Sequence, residues 1–181
     1  MGTYQKGFTL LELVIIIGIL GMTIAFAAPG LSAMIKNNRI SGSANDFVAA
    51  LQFGKAEAVT RINPVTMCIR NAGGTGCLAD GDWHRGWIVF SDLNGDAAVD
   101  DDDEVLMVHE ALDDRITFRG TGDIANFVTY RPVGTTNIAT TAALVMCDDR
   151  GYDQSAKAIV VTITGRGAVM KAQDAGEAAC L

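Results

Sequence analysis

The sequence predicts an α+β protein in which one long N-terminal helix, its first half membrane-spanning, packs on an antiparallel β-sheet head. Phe8 to Ala28 reads FTLLELVIIIGILGMTIAFAA. That is about 21 residues with Glu12 as the single charge, long enough to cross a bilayer as a helix. Residues 31–62 keep a helical period, with Ala44, Phe47, Val48, Leu51, Ala58 and Ile62 on one face and Asn45, Gln52, Lys55 and Glu57 on the other. After Pro64 the period shortens to that of strands, in segments rich in Val, Ile, Thr and aromatics.

Each element has its own signals. MGTYQKG precedes the apolar run, and Lys6 is its one positive charge, so the N-terminus is expected in the cytoplasm and the rest outside. A cleaved signal peptide would place its small-residue site after the run, where Ala25, Ala27 and Ala28 stand. Glu12 argues against that reading, because a carboxylate inside an apolar span costs several kcal/mol unless neutralised and is retained for function. Pro29-Gly30 ends or kinks the membrane segment, and Ser41-Gly42-Ser43 is a weak point in helix propensity. Asn63-Pro64 stops the helix, which would extend roughly 80 Å if continuous from Phe8 to Ile62. Candidate strands are Val65–Arg70, Trp87–Ser91, Val105–Ala111, Ile116–Arg119, Phe127–Arg131, Ala143–Cys147 and Ala158–Thr164, bounded by Gly, Asp and Asn.

Composition excludes several functions. The chain has 181 residues, 49% apolar and 19% charged, which suits one domain with an appendage and not wholesale disorder. Its 14 Lys+Arg stand against 21 Asp+Glu, a net charge of -7, so it is no general polyanion binder. Aromatics at 7% make a broad base-stacking platform improbable. There is no nucleophile elbow, HExxH, P-loop or strand-associated GxGxxG, so no enzyme is expected. Trp83 and Trp87 read as core or sheet-face anchors.

Gly7-Phe8-Thr9-Leu10-Leu11-Glu12 before the apolar run closely resembles the N-terminal motif of type IV pilins and pseudopilins. The resemblance implies cleavage after Gly7 by a prepilin peptidase and methylation of the new amine on Phe8, giving N-methylphenylalanine. It also implies that Glu12 pairs with the N-terminal amine of a neighbouring subunit, so that assembly relieves a buried charge. Arg61 to Cys68, Cys77, Trp83, Gly86 to Asp92, Cys147 to Gly151, Ile159 to Val161 and Gly165-Arg166 resemble GspH/FimT-type pseudopilins. The implied shape is the pilin lollipop: a leader peptide at 1–7, a transmembrane segment at 8–29, an amphipathic continuation of the helix at 30–62 and a β-rich head at 63–181. In that family the helix bends or partly melts near the Pro at the position of Pro29. The implied function is that of a minor pilin or pseudopilin that primes or caps a fibre serving twitching, adhesion or DNA uptake; the alternatives are a DNA-binding pilin for transformation and a type II secretion pseudopilin. The implied partners are other minor pilins, the major pilin, the prepilin peptidase and the inner-membrane assembly platform. The chain would wait in the inner membrane as a single-pass protein with its head in the periplasm, then move to the fibre.

Four Cys allow three connectivities. The flexible loop Asn71 to Gly76 favours closing Cys68 on Cys77, which leaves Cys147 for Cys180. A zinc site is the rival, but there is no CxxC pair and only His84 and His109, both expected to be exposed or at a strand edge. Asp92, Asn94, Asp96, Asp100 and Asp103 imitate the spacing of a calcium loop. Ala97 at the turn position and an Asp in twelfth place weaken the match, so a solvated acidic hairpin with no cofactor is preferred over calcium. Roughly ten acidic side chains fall between Asp92 and Asp114, a face that should repel DNA. The DNA reading rests on Gly165-Arg166-Gly167-Ala168, half of the Gly-Arg-x-Arg motif of FimT-type DNA binders, with Lys171 and Arg150 as helpers. The plain alternative is a hairpin turn carrying an exposed Arg.

Overall fold

The computed structural model describes residues 7–152, 154–176 and 180. Two compact units meet between Asn38 and Arg39. The helix α1 spans Leu10–Arg61, 52 residues, and continues through Pro29. A proline ring removes one rung of the ladder. With so many residues on either side, the remaining rungs carry the helix past it.

The first unit is the N-terminal part of α1. Its large apolar side chains from Leu10 to Phe26 are exposed, and by length and composition the helix can cross a membrane. No water-soluble surface would leave such a stripe uncovered.

The second unit begins at Arg39 and holds the core. Here Ile40, Ala44, Phe47, Leu51 and Ala58 of α1 are fully buried, as their spacing requires. Ile62 departs from the expected face. It lies one residue past the helix end, adopts φ 58° and is 75% exposed. The left-handed turn forced ahead of Asn63-Pro64 swings it off the buried stripe.

The strands form two sheets where the sequence suggested one. β1 (Val65–Ile69), β2 (Trp87–Ser91), β3 (Val105–His109) and β5 (Phe127–Tyr130) make an antiparallel sheet in the order β3-β2-β1-β5. β4 (Thr117–Gly120), β6 (Ala142–Cys147), β7 (Lys157–Val161) and β8 (Gly167–Lys171) make the second, in the order β4-β6-β7-β8. β8 was not foreseen, because Gly-Ala-Val-Met-Lys has little strand character of its own and is recruited by pairing with β7. The expected strand Ala158–Thr164 ends earlier, at Val161. There Thr162 N–H donates to the Arg166 carbonyl, and Gly165 takes φ 72° to close the hairpin.

Phe47 is the hinge pin of the core. Its ring meets Trp83, Trp87 and Phe118 edge-on at 5.1, 5.1 and 4.7 Å. Trp87 belongs to the first sheet and Phe118 to the second, so one helical side chain ties α1 to both. Trimming such a residue to Ala costs about 3–5 kcal/mol. Trp83 Nε1 donates to the Ile124 carbonyl, which satisfies its polar end inside the core. β1 and β2 are buried on both faces. Val65, Met67 and Ile69 face the main core, while Cys68, Ile88 and Phe90 are covered on the other side by Cys77 and Val99.

Candidate functional site

The N-terminal motif sits at the start of α1. Thr9 Oγ1 accepts the Glu12 backbone N–H at 3.2 Å, and Thr9 O accepts that of Leu13. Thr9-Leu10-Leu11-Glu12 has the spacing of a capping box, a role for Thr9 that the sequence reading missed although the spacing announces it. Glu12 thus occupies the first turn, where a negative charge complements the helix dipole. Its carboxylate is exposed and has no ion-pair partner among the described residues. Gly7 and Phe8 precede the helix. Lys6, on which the orientation was argued, lies outside the described residues.

The acidic loop after β2 is organised around Asp92, whose side chain is fully buried. Asp92 Oδ1 accepts the N–H groups of Gly95 and Asp96, and Oδ2 accepts the Ala97 N–H and the Thr66 hydroxyl O–H. Asp103 accepts from the Leu93 and Asp100 backbones. Asn94 Nδ2 donates to both Asp96 and Asp100, so an amide stands between the two carboxylates. Protein donors therefore engage all five oxygen-bearing side chains of the calcium-like spacing. No group of three or more His, Cys, Asp or Glu able to hold a metal ion occurs among the described residues. Further along the acidic stretch, the Arg115 guanidinium holds the Asp113 carboxyl below the usual range, with Arg39 adding to the effect.

Cys68 is bonded to Cys77 and Cys147 to Cys180, with Cα separations of 5.6 and 5.9 Å. The first clamps the 71–76 loop over the outer face of the first sheet. The second ties the chain end to β6 across a small cluster with Ala156, Ala158 and Ala172. His109 lies on edge strand β3 and stacks on Trp87 at 3.9 Å, while His84 sits 3.7 Å from Asp82.

The three cations considered for DNA are divided. Arg166 forms the tip of the β7–β8 hairpin, whereas Lys171 ends β8 opposite Lys157. At about 3.3 Å per residue they stand about 16 Å apart along the strand. Arg150 lies in the turn after β6, toward the Lys171 end, and its Nε and Nη2 bond the Asp148 carboxylate. What does gather near Arg166 is a pair of cations that the sequence did not connect with it. Lys55 Nζ donates to the Thr164 carbonyl at 2.7 Å, and Arg131 Nη1 donates to the Thr136 carbonyl at 2.9 Å. Thr136 in turn donates to Ile163 O. No signal in the sequence links Lys55 to Thr164, since they are 109 positions apart.

A membrane-length apolar helix capped by a T-x-x-E box, whose later turns form the spine of a disulfide-braced two-sheet unit, is the construction of a pilin-like subunit. The chain belongs to the GspH family: the model described as "Type II transport protein GspH" matches residues 43–167, and that of the prokaryotic N-terminal methylation motif matches residues 2–28. Among solved structures, the type IV minor pilin FimU of Pseudomonas aeruginosa is similar at a TM-score of 0.60 and 18% identity, covering 77% of this chain and 94% of that one. A second crystal form of FimU gives 0.57 at 18% identity, covering 74% and 94%. The minor pseudopilin EpsH of the Vibrio cholerae type 2 secretion system gives 0.49 at 11% identity, covering 74% and 97%. A search of curated proteins finds no match. The fold is thus α+β and pilin-like.

Proposed function

We propose that the chain is a non-enzymatic minor pilin or pseudopilin that primes or caps a fibre from the inner membrane. The observation that carries this reading is Glu12, a carboxylate with no ion-pair partner among the described residues, in the first turn of a helix apolar enough to cross a membrane. Such a charge is costly in lipid until a cation reaches it. Cleavage after Gly7 and methylation of Phe8 would put an amine on each neighbouring subunit, and that amine would pair with Glu12 as subunits stack. Residues 8–29 would then be the span, 30–62 the amphipathic continuation and 63–181 the periplasmic head. The partners would be the major pilin, other minor pilins, the prepilin peptidase and the inner-membrane platform.

Intact mass of the chain extracted from membranes tests the processing step. The expected N-terminus is Phe8 carrying one added methyl group. An N-terminus beyond Ala28 would mean a cleaved signal sequence and would sink the reading. Glu12→Ala should leave processing intact yet keep the chain out of sheared fibres. The family description favours type II transport and the FimU likeness a type IV pilus. Deleting the gene separates them, removing exoprotein secretion in the first case and surface pili and twitching in the second.

The DNA reading stands second. Arg166 is exposed at a hairpin tip beside two other cations, but Lys171 and Arg150 are at the far end of the sheet. Gel-shift titration of the second unit across a salt series, with Arg166→Ala alongside, tests it.

A further inference from the structure

The two sheets have four edges, and three of them carry a device that discourages pairing with another chain. β5 is covered by the segment after it: Asn137 N–H donates to the Thr129 carbonyl, and Thr129 N–H donates to Asn137 Oδ1. β4 is four residues long and packs against the turn Trp83–Arg85, with Arg119 paired to Asp82. β3 is broken by a register shift opposite Val89 and Phe90. β8 is different. Its five residues pair with β7 in unbroken register and have no strand on their other side. Thr162 N–H donates to the Arg166 carbonyl and Ala172 N–H to the Ala156 carbonyl, so Ala168 and Met170 turn their backbone groups to β7. Alternate residues of an antiparallel ladder point the other way. Gly167, Val169 and Lys171 therefore present their N–H and C=O groups outward, and none of these has a partner among the described residues.

The side chains at this edge state what it would accept. Gly167 and Val169 share the face toward α1. A Cβ on Gly167 would lie 3.0 Å from Leu51 Cδ1 and 3.6 Å from Val48 Cγ2, while Val169 is 36% exposed. The centre of the edge is therefore apolar. Its ends are cationic: Arg166 precedes β8, Lys171 ends it, and Lys157 lies across the ladder from Lys171. None of the three has an ion-pair partner among the described residues. Two copies of this edge make poor partners for each other. Laid antiparallel about Val169, they would set Lys171 of one beside Arg166 of the other, and like charges across strands destabilise the pair.

We propose that β8 accepts a strand from a different subunit of the fibre: an extended segment with an apolar residue at its centre and carboxylates toward its ends. The proposal rests on the assembly reading above. The main chain of the guest would bond Gly167, Val169 and Lys171, its apolar residue would cover Val169, and its acids would meet Arg166 and Lys171. Backbone pairing supplies the affinity and the charges choose the partner. One guest fills the edge, so the contact joins this subunit to an unlike neighbour and does not repeat from copy to copy. Three residues of pairing are weak alone, and the contact forms where anchored helices hold neighbours at an effective concentration on the order of mM.

The test uses the full-length chain in membranes, co-expressed with the other subunits of its fibre and treated with a zero-length carbodiimide. Mass mapping is expected to show Lys171 or Lys157 joined by an amide to an Asp or Glu of a non-identical subunit. Val169→Pro removes an outward N–H and leaves the ladder to β7 whole, so it should cut the amide yield about tenfold. Arg166→Glu keeps both lysines and should cut it about fivefold. The second variant decides the matter where Val169→Pro loses the Cys147–Cys180 bridge. A yield that ignores these substitutions in a chain with its bridges intact overturns the proposal. An amide formed only to a second copy of this chain overturns it too. So does the absence of any amide while the chain still sediments with sheared fibres, an outcome that leaves the assembly reading standing. A chain missing from the fibres counts against both. Salt-sensitive DNA binding lost in Arg166→Glu, with no amide formed, would make this edge a nucleic-acid site and defeat the proposal.

Discussion

Ile62 occupies a position where helices usually place Gly. A β-branched residue at φ 58° is strained, and at 75% exposure it buries little in return. Relief of the left-handed strain outweighs the added freedom of Gly in the unfolded chain. Ile62→Gly should stabilise the second unit by about 1 kcal/mol, read as a higher urea midpoint with an unchanged slope. No gain would mean that Ile62 has contacts the isolated subunit does not reveal. Tyr130 offers a pH test. Burial pushes its phenol well above the ordinary value, and among the described residues its hydroxyl donates to Gly165 O at 3.4 Å alone. A raised folded-state value favours the neutral phenol, so its contribution is whole below about pH 10 and is lost as pH climbs toward the folded value. Tyr130→Phe should therefore flatten the alkaline fall in melting temperature above about pH 10. An unchanged fall would assign it to lysines instead. The spacing in the sequence announces Thr9, yet it says nothing of Tyr130, whose burial depends on Gly165 from another sheet.

The acidic loop behaves as a self-contained turn. With the Asp92 carboxylate already receiving three backbone N–H groups and a hydroxyl, calcium has little to add. Chelator and millimolar calcium should both leave the melting temperature unchanged, whereas Asp92→Ala should cost about 1–3 kcal/mol by stranding the buried Thr66 hydroxyl and leaving the turn's N–H groups to water. A rise in melting temperature with calcium would restore the ion-site reading. The Cys147–Cys180 bridge spans 33 positions against 9 for Cys68–Cys77. In the chain-entropy account the longer loop contributes more, about 3.8 against about 2.7 kcal/mol. Denaturation of Cys180→Ser beside a Cys68→Ser/Cys77→Ser variant should show the first to be the more damaged. The reverse order would place the weight on covering the first sheet's outer face. These loops were only half legible beforehand: oxygen spacing in 92–103 was plain, but the buried bond from the Thr66 hydroxyl to Asp92 follows from β1 lying beside β2.

At the scale of the whole molecule, a helix long and apolar enough to cross a membrane runs into a unit with its own core. Residues 39–181, expressed in an oxidising compartment, should be soluble and fold cooperatively at the low concentrations of a dilute sample, as checked by light scattering and melting. Aggregation with both bridges formed would show that the core needs the helix before Arg39. The long apolar helix, the buried stripe on its later turns and most strands were readable because they rest on periodicity, and periodicity reports interactions between residues a few positions apart. The N-terminal methylation motif was readable for the same reason, being six adjacent residues. The division into two sheets, the recruitment of β8 and the release of Ile62 from the buried face were not. Nor was the meeting of Lys55, Arg131 and Arg166. Those depend on partners that a linear chain holds tens to more than a hundred positions apart, brought together only when Phe47 is packed against both sheets at once.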